Sequence, residues 1–137
     1  ADDGRFSSSM TPNEAVAAAL SDPDSVMVNR NAGSGTRVLI DELLAGARPA
    51  GYAVQTKSHN AVATAVAQGR ADWGVAIDVV ARLYGLTFIP LKEEHYDFVV
   101  PRARLDRPAV QRFVALLHDP EAREDLTTLG FHPAGID

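Results

Sequence analysis

Ser25 to Gly46 reads SVMVNRNAGSGTRVLIDELLAG, and the change of pattern inside this stretch decides the fold. Ser25 to Arg30 has the β-branched, apolar content of a buried strand. Gly33-Ser34-Gly35-Thr36 follows as a glycine turn rich in capping hydroxyls. From Thr36 to about Ala45 (TRVLIDELLA) the apolar residues recur at helical spacing until Gly46 supplies the stop.

The unit recurs in outline on the C-terminal side. Tyr52 to Lys57 (YAVQTK) alternates like a strand, Ser58 is placed to cap a helix from about His59 to Gln68, and Gly69 ends it. Asp72 to Ile77 (DWGVAI) reads as a third strand, with Asp78 as the cap of a helix ending at Gly85. Leu86 to Leu91 and His95 to Val100 read as two further strands, the second closed by Pro101. Asp106 and Asp119 introduce Pro-led helices near 108–118 and 120–129. Upstream, Thr11-Pro12-Asn13-Glu14 is a capping box that opens a short Ala-rich helix reaching about Leu20. Strands alternating with helices predict an α/β fold with a largely parallel sheet flanked by helices.

Composition bounds the function. The chain has 137 residues, 46% hydrophobic and 23% charged, enough for one globular domain with its own core. No stretch approaches the roughly 18 uninterrupted apolar residues of a bilayer span, so a membrane partner is not expected. Having no Cys removes disulfides, thiolate metal sites and Cys nucleophiles together. A net charge of −5 argues against direct nucleic-acid binding, which needs a basic field, but leaves room for a local basic pocket that holds a small anion. The chain starts at Ala1, and ADDGRFSSS has neither an apolar core nor a helical period. Residues 1–10 therefore read as a cut or flexible end, with the folded domain over 11–137.

In a parallel α/β layer, strand carboxyl ends and helix amino ends share one edge, where ligands bind. This sequence places Arg30, Asn31, Gly33, Ser34, Gly35, Thr36 and Arg37 there after the first strand, and Lys57, Ser58, His59 and Asn60 after the second. Two helix N-termini offer free N–H groups, the glycines allow close approach, and Arg30, Arg37 and Lys57 add full charge. Purely structural readings stand beside this one. Gly-Ser-Gly-Thr is a good turn and cap in its own right, Arg37 has Asp41 four residues on for a surface ion pair, and His59 at a helix start is free to face solvent. Other chemistry lacks its motif. The third glycine of a dinucleotide fingerprint is missing, there is no P-loop Gly-Lys-Ser/Thr, and His59, His95, His118 and His132 have no metal-ligand spacing. No acid, base and nucleophile assemble, so no catalytic residue, cofactor or metal site is expected.

The run Val28-Asn29-Arg30, Gly33-Ser34-Gly35-Thr36-Arg37, Leu39-Ile40-Asp41 and Leu43-Leu44 resembles a known signature. It is that of the periplasmic-binding-protein-like domain related to type II molybdate and tungstate binding proteins. The likeness continues through Gly51-Tyr52, Ser58 to Ala63, Ala67 to Asp72, Leu86 to Leu91 and Glu94 to Asp97, covering roughly 12–130. The chain departs from the pattern at Gln55, where an acid is expected, at Ser58 in place of Thr, and at Trp73 and Ala76 in the third strand.

The resemblance implies a two-lobed type II architecture of which this chain is the C-terminal part, with the first lobe mostly missing. The second lobe would run over about 25–91, with a return segment and C-terminal helices over about 92–130. It implies a small oxyanion ligand of the molybdate or tungstate kind. The matched cleft residues are Arg30, Gly33, Ser34, Gly35, Thr36, Arg37, Ser58 and His59. The family domain occurs fused to molybdopterin molybdotransferase enzymes of molybdopterin biosynthesis and to helix-turn-helix regulators. The expected partners are thus the missing lobe or such a fused enzyme or DNA-binding module, with a homodimer as a further expectation. The resemblance points to a cytoplasmic location, with a periplasmic one as the alternative. An accessory domain of a molybdotransferase and an effector-sensing domain of a transcriptional regulator are the alternative functions.

Overall fold

A computed structural model describes residues 5–134; residues 1–4 of the expected N-terminal end and the last three residues lie outside the described part. The chain divides into two compact units, one up to Lys92 and one from Glu93 onward.

The first unit opens with α1 (Pro12–Ser21), where the capping box forms as the sequence predicts: the Thr11 hydroxyl accepts from the Glu14 amide, and the Glu14 carboxylate accepts from the Thr11 amide at 2.8 Å. Then follow β1 (Met27–Arg30), α2 (Gly35–Leu44), β2 (Gln55–Thr56), α3 (His59–Ala67), β3 (Trp73–Gly74) and α4 (Asp78–Leu83). The three strands are parallel in the order β2-β1-β3, which puts β1 at the centre. All four β1 residues are buried. Met27 packs with Ile40 and Leu44 of α2 and with Val16 of α1, whereas Val28 packs with Val62 and Ala65 of α3 and with Ala71. Successive β1 side chains thus point to opposite layers, so helices cover the sheet on both faces. Every strand therefore delivers its carboxyl end to one edge.

β2 is shorter than the strand expected over 52–57, for a steric reason. At Gly51 the chain turns over β1 with φ +83°, and a Cβ there would overlap the Met27 carbonyl oxygen. Residues 49–54 consequently form turns, with the Tyr52 amide donating to Pro49 and the Val54 amide to Gly51. β1 uses the carbonyls of that turn as its partners, Met27 donating to Ala50 and Asn29 to Val54, each at 2.8 Å. β3 is likewise confined to two residues of the stretch 72–77.

The helix starts differ in detail. Ser34 and Ser58 cap α2 and α3 as expected, but α4 is capped by Ile77 without a side-chain bond, and Asp78 instead lies inside the first turn, ion-paired to Arg82 at 2.7 Å.

Two expected strands do not form. Within the first unit, Leu86 to Leu91 has no ladder partner. Pro90 has no N–H to give to one. In the second unit, His95 to Val100 forms no strand, with Tyr96, Phe98 and Val99 58%, 64% and 90% exposed. Alternating apolar residues make a strand only where a free sheet edge is in register to receive them. The rest of the second unit is a short 3₁₀ turn (Arg102–Arg104), α5 (Pro108–His118) and α6 (Pro120–Thr128), which pack on each other. Asp119 caps α6, while α5 is capped by Arg107 without a side-chain bond. Phe98 meets Phe113 of α5 edge to face at 4.8 Å.

Candidate anion-binding site

The carboxyl end of the central strand is Arg30, a guanidinium drawn inward to 8% exposure. Its Nη1 lies 3.1 Å from each ring nitrogen of His59, the first residue of α3, and 3.5 Å from the Thr36 hydroxyl in the first turn of α2. Arg30 therefore sits where the amino ends of both helices meet. Its Nε is buried and has no hydrogen-bond partner, and among the described residues no carboxylate pairs with it. An arginine does not escape such burial by losing its proton.

The two helix starts are built alike. The Ser34 hydroxyl accepts from the Arg37 amide and donates to the Asn31 carbonyl, and the Ser58 hydroxyl accepts from the Ala61 amide. These serines are thus occupied as caps. The amides of Gly35 and Thr36, and that of Asn60 in α3, have no acceptor among the described residues. Over Gly35 there is open space, since a Cβ built there meets nothing within 4 Å. Gly33, one step earlier, has φ +85°, the left-handed turn for which glycine is suited. Gln55 braces the same loop, its Oε1 accepting from the Ala32 amide at 3.0 Å. Its amide takes the place of the acid expected there and adds no negative charge.

Arg37 is used differently from Arg30. Its Nε donates to Asp41 at 2.9 Å, one Nη to the Arg30 carbonyl at 3.1 Å and the other to the Tyr52 hydroxyl at 2.7 Å, and its guanidinium lies 4.6 Å from the Tyr52 ring centroid. Tyr52 in turn donates to Asp41. These contacts raise the pKa of Arg37, chiefly through the Asp41 bond and then Tyr52, and the bonds that Asp41 accepts from Arg37 and then from Tyr52 hold its carboxyl below its ordinary value. The Arg37–Asp41 pair is legible from the spacing, but its lock onto Tyr52 and the β1 carbonyl is long-range and leaves no trace in sequence. Arg37 thereby fixes the backbone of Arg30.

Of the expected site residues, the structure brings Arg30, Thr36 and His59 into direct contact, sets Gly33, Gly35, Ser34 and Ser58 around them in turns and caps, and turns the Arg37 guanidinium to Asp41 and Tyr52. Lys57 is exposed beside the site. Trp73 packs in the Met27 cluster, as core rather than as ligand platform. Among the described residues no three His, Asp or Glu side chains come together to hold a metal, and no helix is long and apolar enough to cross a membrane.

Residues 7–118 match the profile of the PBP superfamily domain. The chain belongs to that family. The chain is 43% identical over 79 residues to the uncharacterized protein YvgK of Bacillus subtilis (strain 168), covering 54% of this chain and 26% of that protein. It is 29% identical over 81 residues to an uncharacterized protein in the ferredoxin 2Fe-2S gene 5′ region of Clostridium pasteurianum, covering 58% of this chain and 72% of that protein. The match thus spans about a quarter of the length of the first relative. No solved structure matches the chain. A PBP-like domain with a small parallel sheet points to ligand binding.

Proposed function

We propose that this PBP-like domain binds a small tetrahedral oxyanion, of the molybdate or tungstate class, at the edge formed by Arg30 and the first turns of α2 and α3, without catalysing a reaction. The observation that carries this is the buried Arg30 guanidinium, with an orphaned Nε and no carboxylate partner among the described residues. Taking such a charge out of water costs several kcal/mol, and in proteins it is offset by a paired negative charge. Among the described residues Thr36 and His59 reach it, and no carboxylate does. An oxyanion supplies the missing charge, and its oxygens, which only accept, match the donors at hand: Arg30, the Thr36 hydroxyl and the amides of Gly35, Thr36 and Asn60. Arg37 acts behind the site by holding the Arg30 backbone.

In the same reading the first unit is the second lobe of a type II domain whose other lobe completes the cleft, and the whole is the sensing or carrier part of a larger molybdenum-related protein. The larger size of the first relative is compatible with such an arrangement. Isothermal titration of the full-length protein with molybdate, tungstate, sulfate and phosphate tests the ligand class. Micromolar or tighter binding of molybdate or tungstate in preference to sulfate is expected. A protein that binds none of the four refutes the oxyanion reading.

A further inference from the structure

We propose that the second unit is a dimerisation surface on which two copies of this chain meet about a two-fold axis, the basic run 102–112 of one copy facing the acidic stripe of α6 in the other. The proposal is independent of the oxyanion reading. Its first basis is a missing interior. Among the described residues of this unit, 93–134, none is buried, and the buried hydrophobic side chains all belong to the first unit. α5 and α6 pack on each other, yet neither contributes a buried residue. Leu116 of α5 and Leu129, just past α6, are 55% and 57% exposed. A unit of this size has too little interior to hold itself together by one helix pair, and such units are completed by a disulfide, a metal or a partner chain. There is no Cys for a disulfide, and among the described residues no three potential metal ligands come together.

The charges say which partner fits. Arg102, Arg104, Arg107 and Arg112 fall in a run whose one acid is Asp106, in a chain with a net charge of −5. All four arginines are exposed, and among the described residues none of them pairs with a carboxylate. Like charges so close repel one another, and an anionic surface facing them relieves the repulsion. α6 carries the complement. Glu121, Glu124 and Asp125 are spaced i, i+3 and i+4, so they share one helix face, and all three are exposed. The one base of α6, Arg123, donates instead to the carbonyls of Leu117 and Pro133.

Both signs therefore stand on the same short unit, segregated between two elements. Such a surface is complementary to itself: a two-fold axis sets each basic run against the acidic stripe of the other copy, so the contact is made twice. The charge pairs fix the register. The apolar side chains supply the driving force, because Leu116 lies four residues from Arg112 on the same face of α5 and leaves water as the charged flanks meet.

Analytical ultracentrifugation of the full-length protein tests the proposal. The unchanged protein is expected to be a dimer at micromolar concentration, with a dissociation constant that rises about tenfold or more between about 0.05 and 0.5 M salt, as screening of a charged contact requires. Two charge-reversed proteins, Arg104→Glu with Arg112→Glu and Glu124→Lys with Asp125→Lys, alter exposed side chains and should keep their circular dichroism. Each alone is expected to sediment as a monomer. Their equimolar mixture is expected to restore a dimer with one copy of each, since the reversed surfaces are again complementary. An unchanged protein that stays monomeric up to about 100 µM overturns the proposal. So does a dimer that is indifferent to salt, a reading that needs no variant. A dimer retained by both reversed proteins, or a mixture that stays monomeric, overturns it as well.

Discussion

Arg30 is held under two opposed demands. Its backbone is the last rung of the central strand, fixed by Arg37, while its side chain is a charge folded inward without a counter-charge among the described residues. Removing one member of a buried ion pair is destabilising because it strands a charge, whereas removing a buried charge that lacks a counter-charge relieves its desolvation cost. Arg30→Met is therefore expected to fold with an unchanged or higher thermal midpoint and to lose the rise in midpoint that a bound oxyanion gives the unchanged protein. A thermal shift series with and without molybdate reads both. Arg37→Ala is expected to behave in the opposite way. The sequence places Arg37 on an open first turn as a candidate ligand residue, yet its side chain is only 12% exposed and its donors reach three partners. Losing them should cost about 1–3 kcal/mol in denaturant unfolding.

At the scale of elements, the two glycines around α2 and β2 separate ligand space from packing. Gly35 has no positive φ and nothing within 4 Å of a Cβ, so Gly35→Val should leave the fold intact, with unchanged circular dichroism, while its side chain covers the free amides and suppresses anion binding. Gly51 lacks such room: Gly51→Ala sets a methyl on the Met27 carbonyl and should cost 2 kcal/mol or more, roughly the scale of overpacking in a tight core, read as a lower unfolding midpoint. The Arg37–Asp41–Tyr52 lock adds a dependence on pH. Because Arg37 and Tyr52 hold the Asp41 carboxyl below its ordinary value, the stability from this pair is full above about pH 4 and is lost as pH falls through the lowered value. The difference in thermal midpoint between Asp41→Asn and the unchanged protein should accordingly narrow on acidification.

What the sequence makes legible at this scale follows from local physics. Ser34, Ser58 and Thr11 announce their helices because a cap bonds to amides within three residues. β1 announces itself because it is buried on both faces. Leu86 to Leu91 and His95 to Val100 mislead because strand pairing is a property of the partner, and their alternation contains no information on whether an edge is free. Tyr52 escapes for the same reason: read as a strand residue, it belongs to a turn dictated by the approach of Gly51 to β1.

For the whole molecule, the residues from Arg30 to Arg37 and from Ser58 to His59 were identifiable as one edge from the α/β alternation alone. Their division of labour was not, since Arg30 and Arg37 are equivalent cations in a string of letters and become distinct only through burial and partners. Membership of the PBP superfamily rests on a match over 7–118, and the function proposed for the domain rests on Arg30. The most direct measurement is a side-by-side calorimetric titration of the full-length protein and its Arg30→Met variant with molybdate, tungstate, sulfate and phosphate. The account predicts micromolar or tighter binding of molybdate or tungstate by the unchanged protein and none by the variant. An unchanged protein that binds no oxyanion, or a variant that binds as tightly, contradicts it.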